Sequence, residues 1–165
     1  MPVSEPADSM PEIHATSSAV VAAPARIVYG LIADYHQGHP SILPPKYFQN
    51  LQVEEGGVGA GTRISFQMRS FGGVRHFHAQ VTEPEPGRQI CETYPDTGMV
   101  TTFTVDPAAP GHSSRVTITT RYTKAGLAGW LERWLAPRFL RAVFAAELRE
   151  LGVQARVRTS RPAPG

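Results

Sequence analysis

Cysteine is almost missing from this chain of 165 residues. Its single copy, Cys91, can form no intrachain disulfide and cannot build a cysteine metal cluster. A lone cysteine in a strand reads as a small packed hydrophobe, with a catalytic thiol as the alternative. Lysine is scarce too, with two copies against fourteen arginines. Only 18% of residues are charged and the net charge is +2, which points to no strongly charged partner. A nucleic-acid surface needs a basic face interleaved with exposed aromatics. Here the late arginines lie opposite an apolar helical stripe or in the last ten residues, so no nucleic-acid partner is expected. No apolar run approaches the roughly 18 residues that span a bilayer, so no stable membrane insertion is expected. The opening "MPVSEPADSMPEIHATSS" has neither the basic start nor the apolar stretch of a secretory signal, and a cytoplasmic location is expected.

What remains is a globular composition, 41% hydrophobic, of a length that suits one domain with a sizeable core. Residues 1–12 are rich in Pro, Ser and Glu and read as a disordered N-terminal segment, and 156–165 read as a disordered tail. The domain is expected over 13–155. "IHATSSAVVA" reads as a strand. "APARIVYGLIADY" reads as a helix, with Pro24 in its first turn and Ile27, Val28, Leu31 and Ile32 as its apolar stripe. Gly38 and Pro40 break that helix, and "PSILPP" has room for one short helical turn.

The apolar period then changes to two. Ile64, Phe66 and Met68 share one side of a strand; Phe77, Ala79 and Val81 share one side of the next. Six short strands separated by "EEGGVGAG", "SFGG", "EPEPG", "PDTG" and "DPAAPG" predict an antiparallel meander. The last segment carries Leu127, Trp130, Leu131, Trp134 and Leu135, then Leu140, Val143, Phe144, Leu148 and Leu151, at helical spacing. It predicts one long amphipathic helix with a bend near Pro137. The meander must cover its apolar face, and this helix is the only element large enough to do so. Trp130 and Trp134 are therefore read as core rather than as a membrane-surface stripe.

This order resembles the START and birch-pollen-allergen superfamily, also called SRPBCC or polyketide-cyclase-like, over about residues 13–154. The resemblance rests on "APARIVYGLIADY", "GHPSILPP", "VEEGGVGAGT", and "TTFTVDP" followed by "RVTITTRY". It implies an α+β helix-grip fold: a curved antiparallel sheet wrapped around a long C-terminal helix, with two short helices between the first two strands. It also implies a cavity between sheet and helix. Members bind lipids, sterols, quinones or plant hormones, cyclise polyketides, or activate chaperones. The partner expected here is thus a small hydrophobic molecule, such as a lipid, a quinone or a polyketide-like compound. The alternative is a polyketide cyclase or aromatase that uses polar cavity residues. Nothing in the pattern fixes an oligomeric state.

Several motifs invite sharper chemistry. His36 and His39 could share a metal, but Gly38 and Pro40 break the helix that would align them and no third ligand is evident. They are read as a polar rim where the first helix turns towards the cavity mouth. His76 and His78 share a strand face, but Phe77 claims the core and sends them outward. "EGGVGAGT" leads into a strand, whereas phosphate and dinucleotide loops open a helix, so it reads as a flexible hairpin at the cavity entrance. No "GxSxG" elbow marks a nucleophilic serine. No metal and no cofactor are expected, and no residue is singled out as catalytic.

Polar residues that share parity with the core are the better signal. Arg75 shares parity with Phe77, Glu92 and Tyr94 with Ile90, and Thr120 and Tyr122 with Ile118. The expected ligand-binding set is Phe66, Met68, Arg75, Phe77, Glu92, Tyr94, Phe103, Ile118, Tyr122, Trp130 and Trp134. Burial would raise the Glu92 pKa unless Arg75 pairs with it. The alternatives are a structural ion pair at the open end of the sheet, or a bulge that turns Glu92 outward.

Overall fold

In a computed structural model, residues 10 and 12–161 are described, save the side chains of 127, 128 and 130. Most of the expected N-terminal segment, residues 162–165 and the Trp130 side chain therefore lie outside the described residues. The first strand, β1 (Glu12–Val21), is followed by α1 (Ala25–Ala33) and α2 (Gly38–Ile42). Six strands come next: β2 (Phe48–Glu55), β3 (Arg63–Ser70), β4 (Gly73–Glu85), β5 (Gln89–Tyr94), β6 (Met99–Ala109) and β7 (Ser113–Thr123). A single long helix, α3 (Gly126–Ser160), ends the described chain. The strands form one antiparallel sheet in the order β1-β7-β6-β5-β4-β3-β2, so the meander returns to pair with the first strand. This is the helix-grip architecture.

The period-two pattern sets the two faces of the sheet. On β5, Ile90, Glu92 and Tyr94 are buried while Gln89, Cys91 and Thr93 alternate outward, so Cys91 lies on the outer face. On β7, Ser114, Val116, Ile118 and Thr120 point into the core. The inner face packs on α3 through Val143, Phe144, Leu148, Leu151 and Ala155, and on α1 through Val28, Leu31 and Ile32.

The expected single long helix is present, with Pro137 inside it. Two other expectations about it are corrected. First, α3 runs to Ser160, so residues 156–160 are helical rather than part of a disordered tail. Second, the two apolar stripes of α3 do not lie on one face. Leu131, Trp134 and Leu135 are exposed, Trp134 by 56%. At 3.6 residues per turn, Trp134 lies half a turn away from Val143, so a helix that buries Val143 turns Trp134 to solvent. The inner face ahead of Pro137 is taken instead by Glu132, whose carboxylate meets the Tyr122 hydroxyl and the Lys124 ammonium.

The turn between α1 and α2 positions the residues that matter most below. Asp34 Oδ1 accepts the backbone N–H groups of His36 (3.0 Å) and Gln37 (3.2 Å), which reverses the chain directly after α1. Gly38 then packs so closely that a Cβ there would sit 2.4 Å from the Leu31 carbonyl oxygen. The glycine-rich loop before β3 is tied to this turn rather than free. Tyr35 N–H donates to the Gly57 carbonyl (2.8 Å) and Gly59 N–H to the Ala33 carbonyl (2.9 Å). Gly57 has φ +132°, and a Cβ there would overlap the His36 ring.

Candidate functional site

Between the sheet and α3 lies a cavity of about 40 Å³. Its walls are mostly apolar: Phe48 and Leu51 from β2, Ile64, Phe66 and Met68 from β3, Phe77 from β4, Met99 and Phe103 from β6, and Leu140 and Phe144 from α3. The rings of Phe66 and Phe77 stack at 5.5 Å, and both meet Tyr94 edge-on at about 6 Å. This aromatic wall is rigid. Met68 and Met99 are not, because an unbranched thioether re-packs readily.

The polar groups gather on Glu92. Its Oε1 accepts the Tyr35 hydroxyl (2.7 Å) and its Oε2 accepts the Tyr94 hydroxyl (2.6 Å). His39 Nε2 is 3.6 Å from Oε1. His39 Nδ1 lies 2.8 Å from the Ile32 carbonyl oxygen, an acceptor, so Nδ1 carries a proton and donates. The ring also stacks on Tyr35 at 4.4 Å and meets Phe103 edge-on at 5.5 Å. Thr101 and Thr120 share a hydrogen bond of 2.6 Å on the neighbouring strands. Burial, then the nearby Glu92 carboxylate, pushes both phenols well above their ordinary range. They therefore remain protonated and act as donors.

From α3, Glu147 enters the same cavity at 2% exposure. Its Oε1 is buried without a hydrogen-bond partner. Burial first, and then the charge of Glu92, raise its carboxyl well above the usual carboxylate range. The two carboxyls thus differ: Glu92 is held by two O–H donors, and Glu147 Oε1 has none among the described residues.

Of the expected ligand-binding residues, Phe66, Met68, Phe77, Glu92, Tyr94 and Phe103 line the cavity. Ile118 is buried beside Phe103, in the core behind the lining. Arg75 does not join them. Its parity matches Phe77, but it lies two residues nearer the β3–β4 turn, where it is exposed and its charge acts on Tyr122 and Glu132 instead of Glu92. The expected Arg75–Glu92 pair is replaced by the two tyrosines and His39. Tyr122 is also displaced from the cavity: it is half-buried and donates to Glu132 Oε1 (2.9 Å). Trp134 is on the solvent side of α3.

The histidines separate in the same way. His39 is fully buried at the inner end, not on the rim, while His36 is exposed over Gly57. His76 and His78 are exposed on β4. Among the described residues no group of three His, Cys, Asp or Glu side chains could hold a metal ion.

Sequence reasoning missed Glu147, Tyr35 and the burial of His39. Glu147 was legible, since it falls between Phe144 and Leu151 on the buried stripe and a carboxyl there is costly unless it serves a purpose. The inward turn of His39 was not, because it depends on the Asp34 side chain capping the reversal.

The comparisons with known proteins agree with this geometry. No curated protein matches the sequence. Among solved structures, the chain is similar to the KanY protein, at 30% identity and a TM-score of 0.76, covering 89% of this chain and 99% of that one. It also superposes on the Zhui aromatase/cyclase from Streptomyces sp. R1128, at 23% identity, a TM-score of 0.68, and coverage of 94% and 99%. A START superfamily protein from Mycobacterium smegmatis shares 16% identity, with a TM-score of 0.66 and coverage of 87% and 97%. These last two likenesses show the fold. Residues 12–156 match the family model described as polyketide cyclase / dehydrase and lipid transport, and the chain belongs to that family.

Proposed function

We propose that the protein binds a small, largely apolar molecule in the cavity between its sheet and α3. The observation that carries this reading is the cavity itself: an aromatic and aliphatic shell with its polar groups drawn together at one place. Apolar contact would supply most of the affinity, at about 25 cal/mol per Å² buried. Pockets for drug-sized ligands hold roughly 300–1,000 Å³. The observed 40 Å³ therefore has to expand, and Met68, Met99 and Leu140 are the side chains able to yield. Native mass spectrometry of protein purified without detergent tests the reading. A bound small molecule of defined mass supports it; no adduct, together with no binding across lipid, quinone and polyketide panels, overturns it.

A second reading is supported by Glu92. A carboxylate gripped by two phenols beside an imidazole, inside an apolar pocket, is suited to general acid–base catalysis. One similar structure is an aromatase/cyclase. Glu92→Gln separates the two readings. In a carrier it changes affinity modestly; in a cyclase it abolishes turnover and leaves binding nearly unchanged.

A further inference from the structure

Glu147 is the polar group in this cavity that the surrounding protein leaves unsatisfied. Its side chain is 2% exposed, on the face of α3 that also buries Phe144 and Leu151. The groups around it are known from each element. β5 contributes Glu92 and Tyr94, α2 contributes His39, the turn after α1 contributes Tyr35, and β6 and β7 contribute the paired Thr101 and Thr120. Among the described residues no lysine or arginine lines the cavity. Both Glu92 oxygens are engaged by phenols, and the two threonine hydroxyls are engaged with each other. Among the described residues, Glu147 Oε1 is the buried side-chain oxygen without a hydrogen-bond partner.

An ionised Glu147 would be a second buried negative charge without a donor. The neutral acid avoids that cost and carries an O–H that seeks an acceptor. On the reading that the cavity holds a small apolar ligand, we propose that Glu147 is a neutral acid whose O–H donates to an uncharged oxygen of that ligand, such as a ketone, and that the Glu92–Glu147 pair rejects ligands ending in a carboxylate. The aromatic wall of Phe66 and Phe77 would hold the ligand body while Glu147 fixes its oxygen. A free fatty acid would bring a further negative charge to a site that has no fixed cation.

The test uses the full chain and four naphthalenes substituted at carbon 2 with acetyl, ethyl, aminomethyl or carboxylate. Affinities are measured by calorimetry at pH 7. The acetyl compound should bind about tenfold more tightly than the ethyl compound, the gain of one hydrogen bond. The carboxylate should bind at least tenfold more weakly than the acetyl compound. Glu147→Leu should bring the acetyl compound down to the ethyl level. Glu147→Gln keeps a donor and should keep most of the preference.

Equal affinity of the acetyl and ethyl compounds overturns the proposal and leaves the cavity reading standing. Tightest binding of the aminomethyl compound, lost in Glu147→Gln, overturns it in favour of a cation site. No binding by any of the four overturns the cavity reading and this proposal together. Infrared spectroscopy needs no ligand: the carbonyl stretch of a protonated carboxylic acid should be present at pH 7 and vanish in Glu147→Gln. Its absence from the wild type overturns the neutral acid.

Discussion

Glu147 and Glu92 sit in one cavity, yet their neighbours assign them opposite roles. Two phenol hydroxyls donate to Glu92, while burial, and then the neighbouring Glu92, disfavour charge on Glu147. The consequence for stability has a definite sign. Folded Glu147 keeps its proton over a window in which the unfolded chain, with an ordinary carboxyl near about 4.3, has released it. Stability from this group is therefore fully present below that ordinary value and is lost as pH rises towards the folded value. Glu147→Gln removes the titration. In urea melts the variant should be more stable than the wild type at pH 7, and the gap should narrow as pH falls to about 4; a gap that widens on acidification would contradict the assignment. Phe66, buried against Phe77 and Tyr94, should cost about 3–5 kcal/mol on Phe66→Ala, measured the same way. At this scale the sequence carried part of the site. Strand parity identifies Phe66, Phe77, Glu92 and Tyr94, because a two-residue period leaves a side chain only two directions. Parity says nothing of position along a strand, which is why Arg75 shares the parity of Phe77 yet lies nearer Tyr122 and Glu132 than Glu92.

The order of strands and helices was legible because the strands of the meander are separated by strong turn residues and, after the first helices, the period changes once to two and once back to helical. The phase of α3 was legible in principle and was misread. Trp134 and Val143 are nine residues apart, or two and a half turns, so their stripes oppose each other. Trp134→Ala should change stability by no more than about 0.5 kcal/mol, as expected for an exposed side chain; a loss above about 2 kcal/mol would mean that the helix face is wrongly assigned. The glycine-rich loop has a structural duty that its composition hides. It clamps the α1–α2 turn that delivers Tyr35 and His39 to Glu92. Gly57→Ala forces a side chain into a left-handed backbone and into the His36 ring. It should cost about 1–3 kcal/mol in a denaturant melt, and a silent substitution would show that the loop does not fix the turn.

For the whole molecule, the sheet and α3 enclose a space that is small as it stands and lined by residues able to give way. Among the described residues no helix is long and apolar enough to cross a membrane. On the proposed function, a bound apolar molecule would part Met68, Met99 and Leu140 from the aromatic wall while Tyr35, Tyr94 and Glu92 stay hydrogen-bonded together. Methyl-labelled nuclear magnetic resonance during titration with 2-acetylnaphthalene tests this claim most directly, because it reports each wall separately. The account predicts saturable shifts at the Met68, Met99, Leu51 and Leu140 methyls, with the exposed Leu131 and Leu135 methyls unmoved. Shifts confined to Leu131 and Leu135, or no saturable shift at any cavity methyl, would contradict it.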